Sequence, residues 1–179
     1  MGQDLRDFIN DLEEKSELAR VRAEVDWNEE LGAITREVSS QYGPALLFEN
    51  IKGHKDTLCR RLFTNGTGTK KRLCWILGVP ENTHDRAIVR VFKERFANPV
   101  KPVIVGKGPV KENIVKGDDV DLYQLPVPKW NPLDGGRYIG TGDITLTKNP
   151  DTGRINVGCY RQMLHGPRRV GLYCSPGKH

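Results

Sequence analysis

Ile155-Asn156-Val157-Gly158-Cys159-Tyr160-Arg161 decides how this chain is read. It sits inside residues 154–164, which are β in pattern. Upstream, residues 143–148 alternate Ile144 and Leu146 with Thr145 and Thr147, and Asn149-Pro150-Asp151-Thr152-Gly153 makes the connecting turn. Downstream, His165-Gly166-Pro167 turns the chain into a third run, residues 169–175. Three antiparallel strands in a meander open a small barrel or sheet. They need further strands or a second layer to cover the remaining edge and face.

Within the quoted stretch, Asn156 offers a neutral amide oxygen suited to a hard cation or a phosphate-bound metal. Arg161 offers a permanent positive charge in a planar fork that matches carboxylate or phosphate. The plain alternative is a turn asparagine and a surface arginine on an ordinary hairpin. Residues five apart on a regular strand face opposite sides, so these two serve one site only if the strand is bulged or strongly twisted between them. Gly158 is the residue that permits such an irregularity. The chain closes with Cys174-Ser175-Pro176-Gly177-Lys178-His179, whose imidazole reads as a solvated residue, a tag remnant, or a metal ligand in need of partners.

Toward the N-terminus the hydrophobic period becomes helical. Helices are expected over residues 4–15, with Asp4 as N-cap and Asp7 in the capping-box position, and over 29–39, 70–77 and 85–97. The last sets Ile88, Val89, Val91, Phe92 and Phe96 on one broad face and stops before Pro99. Strands are expected over 18–25, over 45–51 after Gly43-Pro44, and over 57–63. The Pro-, Gly- and Val-rich composition of residues 98–117 places a domain boundary near residue 110. Residues 122–134, with Pro126, Pro128, Pro132 and the turn-former Asp134 around Trp130, are expected to form an ordered loop crossing a surface. The fold class is α+β, an α/β layer domain over residues 1–110 followed by a β segment over 111–179.

Bulk composition narrows the function classes. With 179 residues, 37% hydrophobic and 28% charged, the chain can bury a core as one domain or two small ones. Its net charge of +5 is spread among 28 basic and 23 acidic residues. The densest basic clusters are Lys70-Lys71-Arg72 and Arg168-Arg169, too short for the stripe that a nucleic-acid backbone requires, so nucleic acid is not an expected partner. No apolar run approaches the roughly 18 residues of a membrane span, and the first seven residues lack the core of a secretory signal. Cys59, Cys74, Cys159 and Cys174 contain no C-x-x-C pair and read as free thiols in a reducing, cytoplasmic setting. Residues 65–72 lack phosphate-loop spacing and read as a helix-capping turn. Trp27, Trp75 and Trp130 read as packing residues, and His54, His84 and His165 have no metal-ligand spacing.

Four segments come in order along nearly the whole chain: Asp4-Leu5-Arg6-Asp7-Phe8-Ile9; Gly43-Pro44-Ala45-Leu46-Leu47-Phe48-Glu49-Asn50-Ile51; Leu125-Pro126-Val127-Pro128 leading to Gly135-Gly136; and residues 156–161. Together they resemble the landmarks of the UbiD family of decarboxylases. The most specific is Asn156 with Arg161 and a histidine, His179, eighteen residues further on.

The resemblance implies a reversible, prenylated-FMN-dependent decarboxylase of aromatic or α,β-unsaturated acids. Residues 111–179 would be the first part of a flavin-binding split β-barrel, incomplete at its C-terminus. Asn156 and His179 would hold a manganese ion on the cofactor phosphate, with potassium as an additional ion, and Arg161 would be the catalytic arginine. Cys159, Tyr160, Arg161, Ser175 and Lys178 would join Asn156 and His179 in contacting the cofactor. The proton-delivering acid and a third metal ligand, a glutamate, would lie beyond residue 179, so the isolated chain is expected to be inactive. Its partners would be a small carboxylic acid and either the remainder of the polypeptide or further copies in a homo-oligomer. The alternative, from a different class, is a non-catalytic cofactor-binding or oligomerisation module of a larger complex.

Overall fold

The computed structural model describes residues 4–175. Asp4 opens α1, Leu5–Glu14, by accepting from the backbone N–H groups of Arg6 at 2.8 Å and Asp7 at 3.0 Å. Helix α2 spans Glu30–Ser40. The Thr69 hydroxyl caps α3, Lys70–Leu77, by accepting from the Arg72 N–H, so residues 65–72 are the capping turn that their spacing suggests. The ring of His84 caps α4, Asp85–Ala97, by accepting from the Arg86 N–H at 3.2 Å.

Strand β2, Ala45–Phe48, is buried at all four positions, as its unbroken apolar run requires. It lies between β1, Leu18–Val21, and β3, Leu62–Thr64, in one three-stranded sheet. All three expected strands are shorter than their patterns: β2 ends at Phe48 rather than at residue 51. The first ends at Val21, and Val25 makes an isolated parallel bridge to Ile51. The third begins only at Leu62: residues 57–61 are bends and irregular chain, where the Thr57 hydroxyl proton is shared between the carbonyls of Cys59 at 2.9 Å and His54 at 3.1 Å.

The chain forms two compact units interleaved along the sequence. One consists of Met1–Ala19, Val38–Leu46 and Phe63–Asp119. Its core holds Leu12, Ala45, Leu46, Cys74, Leu77 and Ile88, with Phe8 edge-on to Phe63. Arg72 is fully buried in it, paired to Glu17 at 2.8 Å and donating to the carbonyls of Gly43 and Asn65, both at 3.1 Å. The broad apolar face expected on α4 is mostly uncovered. Ile88 alone is buried there, packed with Cys74 and Leu77, while Val89, Phe92 and Phe96 stay exposed.

The other unit consists of Arg20–Glu37, Leu47–Leu62 and Val120–His179. Val25, Leu31, Leu47, Phe48, Ile51, Val127 and Leu164 are buried in it. Residues 126–128 do not cross a surface as expected; all three are buried. Arg137 supports that burial by donating to the carbonyl of Val127 at 2.6 Å, a backbone oxygen that would otherwise be orphaned, and to that of Leu125 at 3.2 Å.

The β segment also departs from the expected meander. Strands β4, Tyr138–Ile139, β7, Gln162–Gly166, and β8, Arg169–Gly171, form a sheet in the order β4-β7-β8. Strands β5, Thr145–Lys148, and β6, Ile155–Gly158, form a separate two-stranded hairpin. The single strand read over 154–164 is therefore two strands with different partners, interrupted at residues 159–161. The hairpin turns its polar side inward: Thr145, Thr147 and Asn156 are half-buried, whereas Ile144, Leu146, Ile155 and Val157 are between 60% and 70% exposed. Among the described residues no helix is long and apolar enough to cross a membrane.

Candidate functional site

The break between β6 and β7 organises the site. Among the described residues, strand β6 is held by β5 alone, in a register that sets Asn156 opposite Thr147 and Gly158 opposite Thr145. Strand β7 is held by β4 and β8, with Met163 opposite both Tyr138 and Gly171. The alternation of faces does not carry across residues 159–161, so the parity that would set Asn156 and Arg161 on opposite sides no longer applies. Gly158 closes β6 against the Tyr160 ring: a Cβ there would lie 2.5 Å from its Cε2, so a larger residue would require that ring to shift.

Arg161 leaves the break with its guanidinium 4.0 Å over the Tyr138 ring. It pairs with Asp134 through Nη2 to Oδ1 at 3.1 Å and Nη1 to Oδ2 at 3.4 Å. The Asp134 side chain is only 9% exposed and accepts from both the backbone N–H of Asn131, at 3.1 Å, and its side-chain Nδ2, at 3.3 Å. On the other side of Asn131, Arg36 of α2 donates to Oδ1 at 2.8 Å and to the Trp130 carbonyl at 2.7 Å. The Trp130 indole N–H in turn donates to the Tyr138 carbonyl at 3.2 Å, and Lys129 pairs with Glu29 at 2.6 Å.

A second arginine braces the same loop. The Arg137 guanidinium stacks 4.2 Å from the Trp27 ring centre and faces His54 Nε2 at 3.3 Å. Burial holds the Arg137 pKa below its ordinary value, against the opposing influence of Tyr123 and Asp121. Burial, and then the Arg137 charge, push the His54 pKa down as well. Since Arg137 can only donate, Nε2 accepts and the neutral imidazole carries its proton on Nδ1, 3.4 Å from the Thr57 hydroxyl. Near β5, Asp143 Oδ2 accepts from the Thr145 hydroxyl at 3.1 Å, and Oδ1 is buried with no hydrogen-bond partner among the described residues.

Of the residues singled out from sequence, Asn156 is half-buried on the inward side of β6, Cys159 is exposed, and Tyr160 is half-buried in the break. Ser175, half-buried, is the last described residue; Lys178 and His179 lie outside the described residues. Asn156 and Arg161 are anchored to different neighbours, Thr147 on one hand and Asp134 with Tyr138 on the other. Sequence reasoning took Asp134 for a turn-former and missed Tyr138, Arg137 and His54. The nearest signal was the Asp134-Gly135-Gly136 run closing a proline-rich loop whose burial no local pattern announces.

Two family models cover most of the chain. The 3-octaprenyl-4-hydroxybenzoate carboxy-lyase N-terminal domain matches residues 9–92, and the Rift-related domain of the same carboxy-lyase matches residues 101–179. The chain belongs to the UbiD family. A relative in Pseudomonas aeruginosa, pyrrole-2-carboxylic acid decarboxylase, is 38% identical over 98% of this chain. Among solved UbiD-class structures, an evolved dimeric form of HmfF from Pelotomaculum thermopropionicum, in complex with prFMN, superposes with a TM-score of 0.86 at 30% identity over 98% of the chain. The closed form of vanillic acid decarboxylase from Sedimentibacter hydroxybenzoicus gives 0.84 at 31% identity over 96%. The mixed α+β architecture with small sheets is thus that of the UbiD-class N-terminal region. The chain spans 37% of the Pseudomonas protein and 39% and 37% of the two structures.

Proposed function

We propose that this chain forms part of a UbiD-type, prenylated-FMN-dependent decarboxylase that acts reversibly on an aromatic or α,β-unsaturated carboxylic acid. The observation that carries the reading is Arg161, a partly exposed guanidinium held in plane by Tyr138 and in direction by Asp134, at a strand break five residues after Asn156. Support comes from relatives that are decarboxylases of pyrrole-2-carboxylic and vanillic acid, and from a structural neighbour in complex with prFMN.

The donor chemistry fits the cofactor. Asn156, on the inward side of β6, has a hard amide oxygen for manganese, and His179 has an imidazole; both would serve a metal gripping the flavin phosphate. Cys159, Tyr160, Arg161, Ser175 and Lys178 are assigned to the cofactor-contacting shell, with potassium as a further ion. A bound prenylated flavin supplies a sink for the electron pair left when carbon dioxide departs. The chain's own part is placement: Arg161 binds the substrate carboxylate, Asp134 and Tyr138 orient Arg161, and Arg137 fastens the loop that carries Asp134.

The division into an N-terminal α+β domain, residues 1–110, and the first part of a split β-barrel, residues 111–179, belongs to the same proposal. The two family models fall on either side of residues 93–100, which supports it. The outward apolar side of the β5–β6 hairpin supports a barrel completed by further sequence, which would bring the proton-delivering acid and a glutamate metal ligand. The 179-residue chain by itself is therefore assigned no turnover. Free thiols at Cys59, Cys74, Cys159 and Cys174 agree with a cytoplasmic setting, and the assembly would be a homo-oligomer or the longer polypeptide.

The test uses the polypeptide extended to the length of its relatives, loaded with prenylated FMN and manganese, and assayed for carbon dioxide release from a panel of aromatic and unsaturated acids. Arg161→Ala is expected to abolish turnover with cofactor still bound. Retained turnover in that variant refutes the assigned role.

A further inference from the structure

Resting on the reading of Arg161 as the carboxylate-binding residue, we propose that Asp134 is its positioning residue and dictates which edge of the guanidinium a ligand carboxylate reaches. A guanidinium has five N–H groups arranged along two usable edges. Asp134 occupies the edge formed by the two terminal nitrogens, with Nη2 to Oδ1 at 3.1 Å and Nη1 to Oδ2 at 3.4 Å. Tyr138 covers one face at 4.0 Å. Among the described residues nothing else engages Arg161, so the edge that includes Nε–H is the one left for an incoming carboxylate.

The mount behind Asp134 is rigid because each member is held from two sides. Asp134 is nearly buried, and its Oδ2 receives two N–H groups of Asn131. The Asn131 amide is oriented at both ends, Nδ2 toward Asp134 and Oδ1 toward Arg36, so the amide assignment is fixed by its partners. Arg36 also ties the Trp130 carbonyl to α2, and Gly32, one turn earlier, lets the α2 backbone close on that same carbonyl. Arg36, Asn131, Asp134 and Arg161 thus form a continuous chain from a helix to the strand break. An ion pair whose arginine is 42% exposed adds little to stability. Its effect is on direction and on the number of rotamers Arg161 visits.

The experiment follows the arginine side-chain N–H signals of the 15N-labelled 179-residue chain by NMR and needs no turnover. In the unaltered chain the Arg161 Nη protons are expected to be resolved and to exchange slowly about the Cζ–Nε bond. Asp134→Ala is expected to speed that rotation at least tenfold while the backbone amides of β7 stay in place. Fast averaging in the unaltered chain, or an unchanged rotation rate in Asp134→Ala, overturns the proposal. Should Asp134→Ala fail to fold, titration of the unaltered chain with benzoate decides: the Nε–Hε signal is expected to move more than the Nη signals, and the reverse order overturns the edge assignment. Slow rotation with no response of Arg161 to benzoate overturns instead the reading of Arg161 on which the proposal stands, so the two failures are distinct.

Discussion

Gly32 of α2 lies so close to Trp130 that a Cβ at position 32 would sit 2.2 Å from the Trp130 carbonyl oxygen and 2.9 Å from its carbon. In an uncrowded helix interior, glycine to alanine stabilises by roughly 0.5–1 kcal/mol, through propensity alone. Here the contact is with backbone, which cannot rotate away, and overpacking costs about 1–3 kcal/mol. Gly32→Ala is therefore expected to lower the urea midpoint. An increase would show that α2 does not close on the loop that carries Asp134.

The buried Arg72 depends on Glu17 in a different manner. Removing one member of a buried pair leaves a desolvated charge, at a cost of about 3–5 kcal/mol, whereas replacing both with apolar groups is often near neutral. Glu17→Ala is expected to cost near the lower end of that range, because Arg72 keeps its two backbone carbonyls. The double variant Glu17→Ala with Arg72→Met should recover part of the loss. Equal destabilisation of the single and double variants, measured by urea denaturation, would sink this account.

The same pair sets a pH dependence. Burial alone would raise the Glu17 carboxyl; the hydrogen bonds and charges of Lys71 and Arg72 outweigh it and hold the pKa below its ordinary 4.5. A depressed carboxylate pKa contributes stability that is complete above the unfolded value and is lost as pH falls through the folded one. Thermal midpoints should therefore drop as pH falls below about 4.5, less steeply in Glu17→Gln than in the parent chain.

His54 acts at milder pH. Its folded-state pKa lies below the ordinary 6.5, so the unfolded chain binds its proton first and stability falls as pH drops below that value. A proton on Nε2 would face the Arg137 guanidinium at 3.3 Å. His54→Gln is expected to remove the portion of the pH dependence between 6.5 and the lowered folded value. An identical profile in the variant would show that His54 does not titrate against Arg137.

The outward side of the β5–β6 hairpin makes a prediction of near-neutrality. Leu146 and Val157 sit opposite each other and are both exposed. Leu146→Thr and Val157→Thr should change the stability of this chain by no more than about 0.5 kcal/mol while reducing the binding of an apolar-surface dye. Destabilisation by more than about 1 kcal/mol would mean that this side is already covered.

Much of the molecule was legible where the deciding interactions are local. Asp4 and Thr69 bound their helices by bonds to residues two or three positions away, and Pro99 forbids continuation of α4. The run from Ala45 to Phe48 is buried at every position because no polar residue interrupts it. The UbiD resemblance was legible too, through landmarks whose order and spacing survive in one dimension. The roles of Asn156, Arg161 and their neighbours were read from the same landmarks and await the experiments above.

The rest was decided in three dimensions. Nothing within a few residues of Arg161 announces Asp134, twenty-seven positions earlier, as its partner, nor Arg36 as the far anchor of their chain. A strand pattern gives alternation but not the partner strand, so the division of residues 154–164 between a hairpin and another sheet depended on which edges were available. The burial of residues 126–128 likewise drew on Arg137, ten residues beyond Val127, to meet the Val127 carbonyl. Hydrogen bonds and ion pairs across such separations have no periodicity, and only the folded chain determines which groups come within reach.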